Sequence, residues 1–296
     1  MRRSPVPGYK ANKADMAYRT IISAQELAAY LDDPAFVIFD CRHQLMDHEA
    51  GARAYAQSHI PGARFAHSEG DLAGPKTGRN GRHPLPDPRA FMLWLGTNGV
   101  DNGKQVIAYD FAAGSSAARL WWMLRWVGHE RVAVLDGGWE GWEKAGFPVT
   151  SALPSVKPAA FSGQPRSDVS VDVEFVRSHL NDRSVIVVDA RAPERFKGVT
   201  EPIDPVAGHI PGARNRLFKD NLDADGRFKS VRELREAFTA LLAGGDARQI
   251  VHQCGSGVSA CSNLLAMEIS GLTGSRLYPG SWSEWISDPE RPIARD

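Results

Sequence analysis

Cysteine is scarce in this chain of 296 residues, which contains only Cys41, Cys254 and Cys261. An odd and sparse set argues against a disulfide framework, and no pair has the CxxC spacing typical of zinc ligands. The sequence therefore predicts free thiols in a cytoplasmic protein, with no metal and no cofactor.

A charge excess and long apolar runs are also missing. The 35 basic residues balance 35 acidic ones, so the composition gives no reason to expect nucleic acid or an anionic membrane as a partner. No apolar run approaches the roughly 20 residues that span a bilayer. The N-terminus is rich in Arg, Lys and Pro, unlike a secretory signal, and we expect residues 1–18 to form a poorly ordered leader.

What the chain does contain is a long internal repeat. The segment His-Ile-Pro-Gly-Ala-Arg at 59–64 recurs at 209–214, and an Asp-x-Arg segment at 40–42 recurs at 189–191. Further along, Trp139 and Trp142 are answered by Trp282 and Trp285. The period is far longer than the roughly 20–50 residues of solenoid repeats, which indicates a duplicated domain.

The repeat divides the chain into an N-terminal domain over residues 19–150, a linker over 151–170 that is rich in Pro and Gly, and a C-terminal domain over 171–296. In each half, short β-branched runs alternate with amphipathic stretches. This alternation predicts an α/β fold with a parallel sheet covered by helices on both faces. The predicted strands are 36–39, 106–109, 132–135, 185–188, 250–252 and 277–278, and the predicted helices include 116–127, 234–242 and 259–269.

Two loops follow equivalent strands in the two halves. Ligands of parallel sheets bind at the carboxyl ends of strands, where one copy presents Asp110 and the other presents Cys254. The copy with the thiol is the candidate active site.

The loop after Cys254 has the composition of an anion-binding turn. Gly255 and Gly257 allow a tight turn before a predicted helix that begins at Ser259, so that several backbone N–H groups can converge on one sulfur. A thiol reacts as its thiolate, which such donors stabilise. Cys41 and Cys261 are predicted to be inert core residues, which is the alternative for any buried cysteine.

Three other uses of this loop fit the sequence poorly. A phosphate-binding P-loop needs a Lys after its last glycine, and none follows Gly257. A cysteine phosphatase needs an Arg for bidentate phosphate binding, where this chain has Ala260. The local signature of a papain-like protease is also absent.

Taken together, these segments resemble the rhodanese superfamily, specifically its two-domain sulfurtransferases. The resemblance covers nearly the whole chain after Ile21 and implies tandem rhodanese-like domains, of which the N-terminal one is inactive because Asp110 replaces the catalytic cysteine. The matching segments are Asp-Cys-Arg at 40–42, Asp-Ala-Arg at 189–191, both His-Ile-Pro-Gly-Ala segments, Gly-Arg-His-Pro-Leu-Pro at 81–86, Leu-Asp-Gly-Gly-Trp at 135–139, Cys-Gly-Ser-Gly-Val-Ser at 254–259 and Gly-Ser-Trp-Ser-Glu-Trp at 280–285.

The resemblance also suggests the sulfur donor. The loop is similar to Cys-Gly-Ser-Gly-Val-Thr of 3-mercaptopyruvate sulfurtransferases, with Ser259 in place of Thr, whereas thiosulfate enzymes usually have basic residues after the cysteine. We therefore expect a Cys254 persulfide formed from 3-mercaptopyruvate, with Gly255, Gly257, Val258 and Ser259 contacting substrate. Thioredoxin, glutathione or cyanide would accept the sulfur. Thiosulfate as donor, or a non-catalytic rhodanese-fold binding module, are the alternatives, and a monomer would suffice.

Further residues take roles from the family pattern. Arg195 matches the Arg that binds the substrate carboxylate, with a surface cation as the alternative. Ser256, His83 and Glu69 match a proposed relay that activates substrate, although Glu69 stands where Asp is more usual. Family members often carry a second Arg before the second His-Ile-Pro-Gly-Ala segment, but residues 198–208 contain no basic residue.

Overall fold

The computed structural model describes residues 17–111, 114–180, 182 and 184–296. Most of the predicted leader, residues 1–16, lies outside the described residues. Tyr18 is already tied to the first domain, because its backbone N–H donates a hydrogen bond to Gln105 Oε1 at 3.0 Å. Within the described ranges, no helix is both long and apolar enough to cross a membrane.

The first half contains a parallel five-stranded sheet in the order β1-β5-β4-β2-β3. Its strands are β1 (Ile21–Ile22), β2 (Phe36–Asp40), β3 (Arg64–Phe65), β4 (Gln105–Tyr109) and β5 (Val132–Leu135). Its helices are α1 (Ala24–Ala28), α2 (Ala50–Gln57), α3 (Pro88–Thr97), α4 (Ser115–Trp126) and α5 (Gly138–Lys144).

The second half repeats this plan with a parallel four-stranded sheet in the order β7-β6-β8-β9. Its strands are β6 (Ile186–Asp189), β7 (Arg214–Asn215), β8 (Ile250–Gln253) and β9 (Arg276–Leu277). Its helices are α6 (Val173–Ser178), α7 (Pro193–Phe196), α8 (Val231–Leu242), α9 (Ala260–Ile269) and α10 (Ser281–Trp285), with 3₁₀ turns at Phe218–Asn221 and Ala247–Gln249. The predicted α/β fold with two duplicated domains is confirmed.

The helices form where caps and apolar spacing agree. In α8, Ser230 Oγ accepts a hydrogen bond from the backbone N–H of Glu233, whose carboxylate accepts one from the backbone N–H of Ser230. Its buried side chains, Leu234, Phe238 and Leu242, recur every four residues and therefore share one face. Strand ends differ from the predictions by at most one residue, and Val185 and Tyr278 lie just outside β6 and β9.

The duplicated segments build the same local structure twice. Arg42 pairs with Asp40 and its guanidinium lies 4.3 Å from the ring centroid of Trp139. In the second half, the Arg191 pair with Asp189 repeats this arrangement over Trp282, at 4.7 Å. All of these side chains are buried, so the repeated tryptophans belong to the core.

One apolar cluster spans the two halves. Helix α4 packs against α9, and one continuous cluster of buried side chains includes Trp121 and Leu124 from the first half and Leu264 and Leu265 from the second. Because α4 follows β4 and α9 follows β8, this packing brings together the loops at the carboxyl ends of both strands.

Candidate active site

A cavity of about 260 Å³ lies between the two halves where these loops meet. This is small beside the roughly 300–1,000 Å³ of sites for drug-sized ligands, and it suits a small metabolite. The cavity brings together seven of the nine predicted site residues, while Glu69 and Gly257 lie just behind its wall. Its lining residues are His43, Leu45, Arg82, His83, Ser115, Ser116, Arg195, Phe218, Cys254, Gly255, Ser256, Val258 and Ser259.

Cys254 lies at the carboxyl end of β8, directly after Gln253. Its side chain is buried, and the backbone N–H of Gly257 donates a hydrogen bond to Sγ at 3.2 Å. Gly257 has a φ of +78°, and a Cβ at this position would overlap with the carbonyl oxygen of Pro279. Only glycine therefore lets the loop fold back onto the sulfur.

The matching loop of the first half surrounds a carboxylate with backbone N–H donors. Asp110 is buried and accepts hydrogen bonds from the backbone N–H groups of Gly114, Ser116 and Ala117, at 2.9 to 3.1 Å. Burial raises the pKa of Asp110 to about 6, although these three donors oppose the shift. In both loops, backbone N–H groups therefore donate to the side chain of the residue that directly follows the strand.

Ser256, His83 and Glu69 form a chain of contacts beside the thiol. Ser256 Oγ lies 2.8 Å from His83 Nδ1, and His83 Nε2 lies 3.4 Å from Glu69 Oε1. Burial, followed by the charge of Arg119, lowers the pKa of His83 to about 4, while Glu69 opposes the shift. At neutral pH the imidazole is therefore uncharged, so one ring nitrogen accepts and the other donates.

Arg119, which the sequence interpretation missed, lies beneath the loop that follows Cys254. It is completely buried on α4 and donates hydrogen bonds to the carbonyl oxygens of Gly257 at 3.1 Å and His83 at 3.0 Å. Among the described residues it has no carboxylate partner within ion-pair distance. The sequence does carry a sign of this role, because Arg119 is the one charged residue in the apolar run Ala-Ala-Arg-Leu-Trp-Trp. A charged side chain is rarely buried unless specific contacts compensate its charge.

Arg195 enters the cavity from α7, where two acidic side chains hold it. Its Nη2 lies 2.8 Å from Glu201 and 2.9 Å from Asp204. Burial, the largest single influence, would raise the pKa of Glu201, but the hydrogen bond and charge of Arg195 together with the backbone N–H groups of Ile203 and Asp204 lower it. The surface-cation alternative does not fit, because the side chain of Arg195 is only 15% exposed.

A second guanidinium, also missed, reaches the same place from the other half. Arg82 pairs with the second carboxylate oxygen of Asp204. A Cβ added to Gly255 would lie 2.7 Å from Nη2 of Arg82 and 3.6 Å from Nη2 of Arg195. Two arginines therefore flank the residue that follows Cys254.

The other cysteines and the two repeated histidines do not line the cavity beside Cys254. Cys41 and Cys261 are fully buried, and burial raises the pKa of both thiols, to about 12 for Cys261. His59 and His209 contact the backbone carbonyls of Tyr55 and Phe196 at 2.7 and 2.8 Å, so they fix their loops. A larger cavity of about 610 Å³ lies along α4 and α9, but its lining has arginines and tryptophans and no thiol.

Comparisons with known proteins show the family and the fold of this chain. A model of the rhodanese-like domain matches residues 23–145 and 172–288. A protein named probable 3-mercaptopyruvate sulfurtransferase from Pseudomonas aeruginosa is 47% identical over 281 residues, covering 94% of this chain and 99% of that protein. Thiosulfate/3-mercaptopyruvate sulfurtransferase 2 of Arabidopsis thaliana is 32% identical over 309 residues, covering 96% and 89% of the two chains.

A solved structure has the same fold over nearly its full length. The crystal structure of SseA from Escherichia coli, a 3-mercaptopyruvate sulfotransferase by its description, superposes with a TM-score of 0.78 at 31% identity. The match covers 90% of this chain and 99% of that one. With both halves matched by one domain model and the fold shared, this chain belongs to the rhodanese-like family.

Proposed function

We propose that this chain is a sulfurtransferase that takes sulfur from 3-mercaptopyruvate, carries it as a persulfide on Cys254 and passes it to a thiol or to cyanide. The observation that carries the proposal is the placement of Cys254 Sγ beside a cavity flanked by two arginines, with the N–H of Gly257 donating to it. The names of the 47% identical relative and of the superposed structure support the donor.

In the first half-reaction the Cys254 thiolate attacks the sulfur of 3-mercaptopyruvate. An S–S bond forms, the C–S bond breaks, and its electron pair remains on the donor carbon as the enolate of pyruvate. Protonation of that carbon releases pyruvate, and the enzyme retains a persulfide. The N–H of Gly257, already on Sγ at 3.2 Å, would stabilise negative charge on the sulfur.

The Ser256–His83–Glu69 chain is proposed to activate the donor by moving a proton from its sulfur to the departing enolate. Ser256 lines the cavity, and its hydroxyl is positioned by the neutral ring of His83. With Nδ1 accepting the proton of this hydroxyl, Ser256 Oγ can in turn accept the proton of the donor sulfur as the C–S bond breaks. Glu69, through its contact with His83 Nε2, would hold the ring in the required tautomer.

The two arginines are proposed to bind the donor carboxylate. Arg195 occupies the position expected from the family, and Arg82 would supply the guanidinium that residues 198–208 lack. Asp204 contacts both and Glu201 contacts Arg195, so two cations are balanced by two anions. Such a set favours a planar monoanionic carboxylate, which accepts paired N–H donors, over dianionic thiosulfate.

In the second half-reaction the outer sulfur of the persulfide leaves Cys254. Attack by an acceptor thiol forms a new persulfide and regenerates the Cys254 thiol, whereas cyanide is converted to thiocyanate. Thioredoxin and glutathione are the candidate thiols. Because both halves of one chain already enclose the cavity, we propose that the enzyme functions as a monomer.

Steady-state kinetics with two donors test the donor assignment. Pyruvate release from 3-mercaptopyruvate is compared with thiocyanate formation from thiosulfate, both with cyanide as the acceptor. We expect kcat/KM to be higher for 3-mercaptopyruvate, and a strong preference for thiosulfate would overturn the assignment.

Thiosulfate remains the second candidate donor, since the Arabidopsis relative carries both donors in its name. A binding module without turnover is disfavoured by the intact catalytic loop. If neither donor modifies Cys254, the binding module becomes the better account.

A further inference from the structure

Histidines are concentrated on one side of the active-site cavity. His43 lies shortly after β2, His48 lies in the turn that follows, and Glu69 lies in the loop after β3. One ligand atom from each of these three residues lies within 4.8 Å of the other two. The closest contact joins His48 Nδ1 to Glu69 Oε1 at 2.8 Å.

Two imidazole nitrogens and a carboxylate oxygen form a ligand set that Zn²⁺ prefers. Bonds of about 2.0–2.2 Å in tetrahedral geometry put ligand atoms roughly 3.4 Å apart. The observed separations require a shift of about an ångström or more. His48 can make it, because its side chain is 53% exposed.

His43 gives an independent indication that the cluster can take a ligand. Its Nε2 is buried and has no hydrogen-bond partner in the part of the chain that the structure describes. A buried polar nitrogen without a partner destabilises the fold, and metal coordination would offset that cost.

We propose that His43, His48 and Glu69 bind a divalent transition-metal cation, for which Zn²⁺ is the best match, with water in the fourth position. The cysteine spacing gave no sign of this site, because its ligands are brought together by the fold rather than by a motif. Lys76 Nζ lies 3.0 Å from the other carboxylate oxygen of Glu69, so it does not occupy the proposed ligand atom.

The site shares Glu69 Oε1 with His83, whose Nε2 lies 3.4 Å away. A bound cation would draw that oxygen away from His83 and weaken its hold on the ring. This consequence rests on the proposed function of the relay. The site itself does not, because cation binding requires no sulfur transfer.

The test measures metal binding directly, on the full chain carrying Cys254→Ser so that this thiolate cannot bind the metal. The other two thiols, Cys41 and Cys261, are fully buried. Zn²⁺ is titrated by calorimetry, and Co²⁺ is used as an optical probe of ligand geometry. We expect one equivalent to bind, with a tetrahedral Co²⁺ spectrum.

Variants then assign the ligands. His48→Gln changes an exposed side chain and should weaken binding at least about tenfold, as should His43→Gln. The matched control is His179→Gln, which changes a histidine of the other half that contacts the carbonyl oxygen of Phe175. This variant should bind Zn²⁺ with unchanged affinity. Absence of binding in the Cys254→Ser protein, or unchanged affinity in folded His48→Gln, would overturn the proposal.

Discussion

Replacing Arg82 by Met should impair use of a donor that carries a carboxylate. Methionine retains much of the length and apolar volume of the side chain but removes the guanidinium that flanks Gly255. Arg195 and the Cys254 loop remain. The loss should therefore appear in binding of the donor rather than in reaction of the persulfide with cyanide.

The size of the effect follows from the contacts. A hydrogen bond to a charged group contributes about 1.5–3 kcal/mol, which corresponds to roughly 10- to 150-fold in kcat/KM. Since the side chain of Arg82 is 25% exposed, we expect the lower part of this range. In Arg82→Met, Asp204 also loses one of its two guanidinium partners, and burial already raises the pKa of this carboxyl group. Arg82→Lys keeps the positive charge but not the planar guanidinium, so comparing it with Arg82→Met separates the two contributions.

The assay compares 3-mercaptopyruvate with mercaptoacetone, which lacks the carboxylate. If Arg82 binds that group, Arg82→Met lowers kcat/KM for 3-mercaptopyruvate and leaves mercaptoacetone nearly unaffected. The matched control is Arg79→Met, three residues earlier in the same loop and exposed. An equal loss with both donors would refute the carboxylate role.

Three further predictions concern the support beneath the site. Gly257→Ala should lower the free energy of unfolding in urea by about 1–3 kcal/mol and abolish most activity. Gly146→Ala, at φ +72° with open space around it, should lower the free energy of unfolding by less. Equal losses would contradict the overlap between a Cβ at Gly257 and the carbonyl oxygen of Pro279. Arg119→Met should slow alkylation of Cys254 about tenfold by removing a nearby buried charge, and an unchanged rate would exclude that role. Because the pKa of His83 is lowered from 6.5 to about 4, the folded chain binds fewer protons than the unfolded chain between these values. Stability should therefore fall as pH drops from 6.5 to 4, and less steeply in His83→Gln; equal slopes would contradict a buried neutral ring.

The sequence predicted the architecture because the chain encodes it twice. Near-continuous apolar strands, the repeated His-Ile-Pro-Gly-Ala segments and the Asp-x-Arg pairs each correspond to a strand, loop or buried ion pair in both halves. The equivalence of Asp110 and Cys254 followed from strand-end position alone. Strand limits shifted by at most one residue, since hydrogen bonding to neighbouring strands, rather than composition, decides where pairing stops.

The remaining parts of the site depend on how the two halves pack. Arg82 and Cys254 lie far apart in sequence, and nothing in the residues around Arg82 shows that its guanidinium reaches the second domain. The same holds for Arg119, whose role depends on α4 packing against α9. His43, His48 and Glu69 come from two loops, so their proximity is likewise a property of the fold.

Intact-mass measurement after donor treatment tests the central claim most directly. Incubation with 3-mercaptopyruvate, without an acceptor, should add the mass of one sulfur atom, and cyanide should remove it. Cys254→Ser should gain none, whereas Cys41→Ser and Cys261→Ser should gain it fully. No gain in the wild-type protein, or a gain that persists in Cys254→Ser, would contradict a persulfide on Cys254.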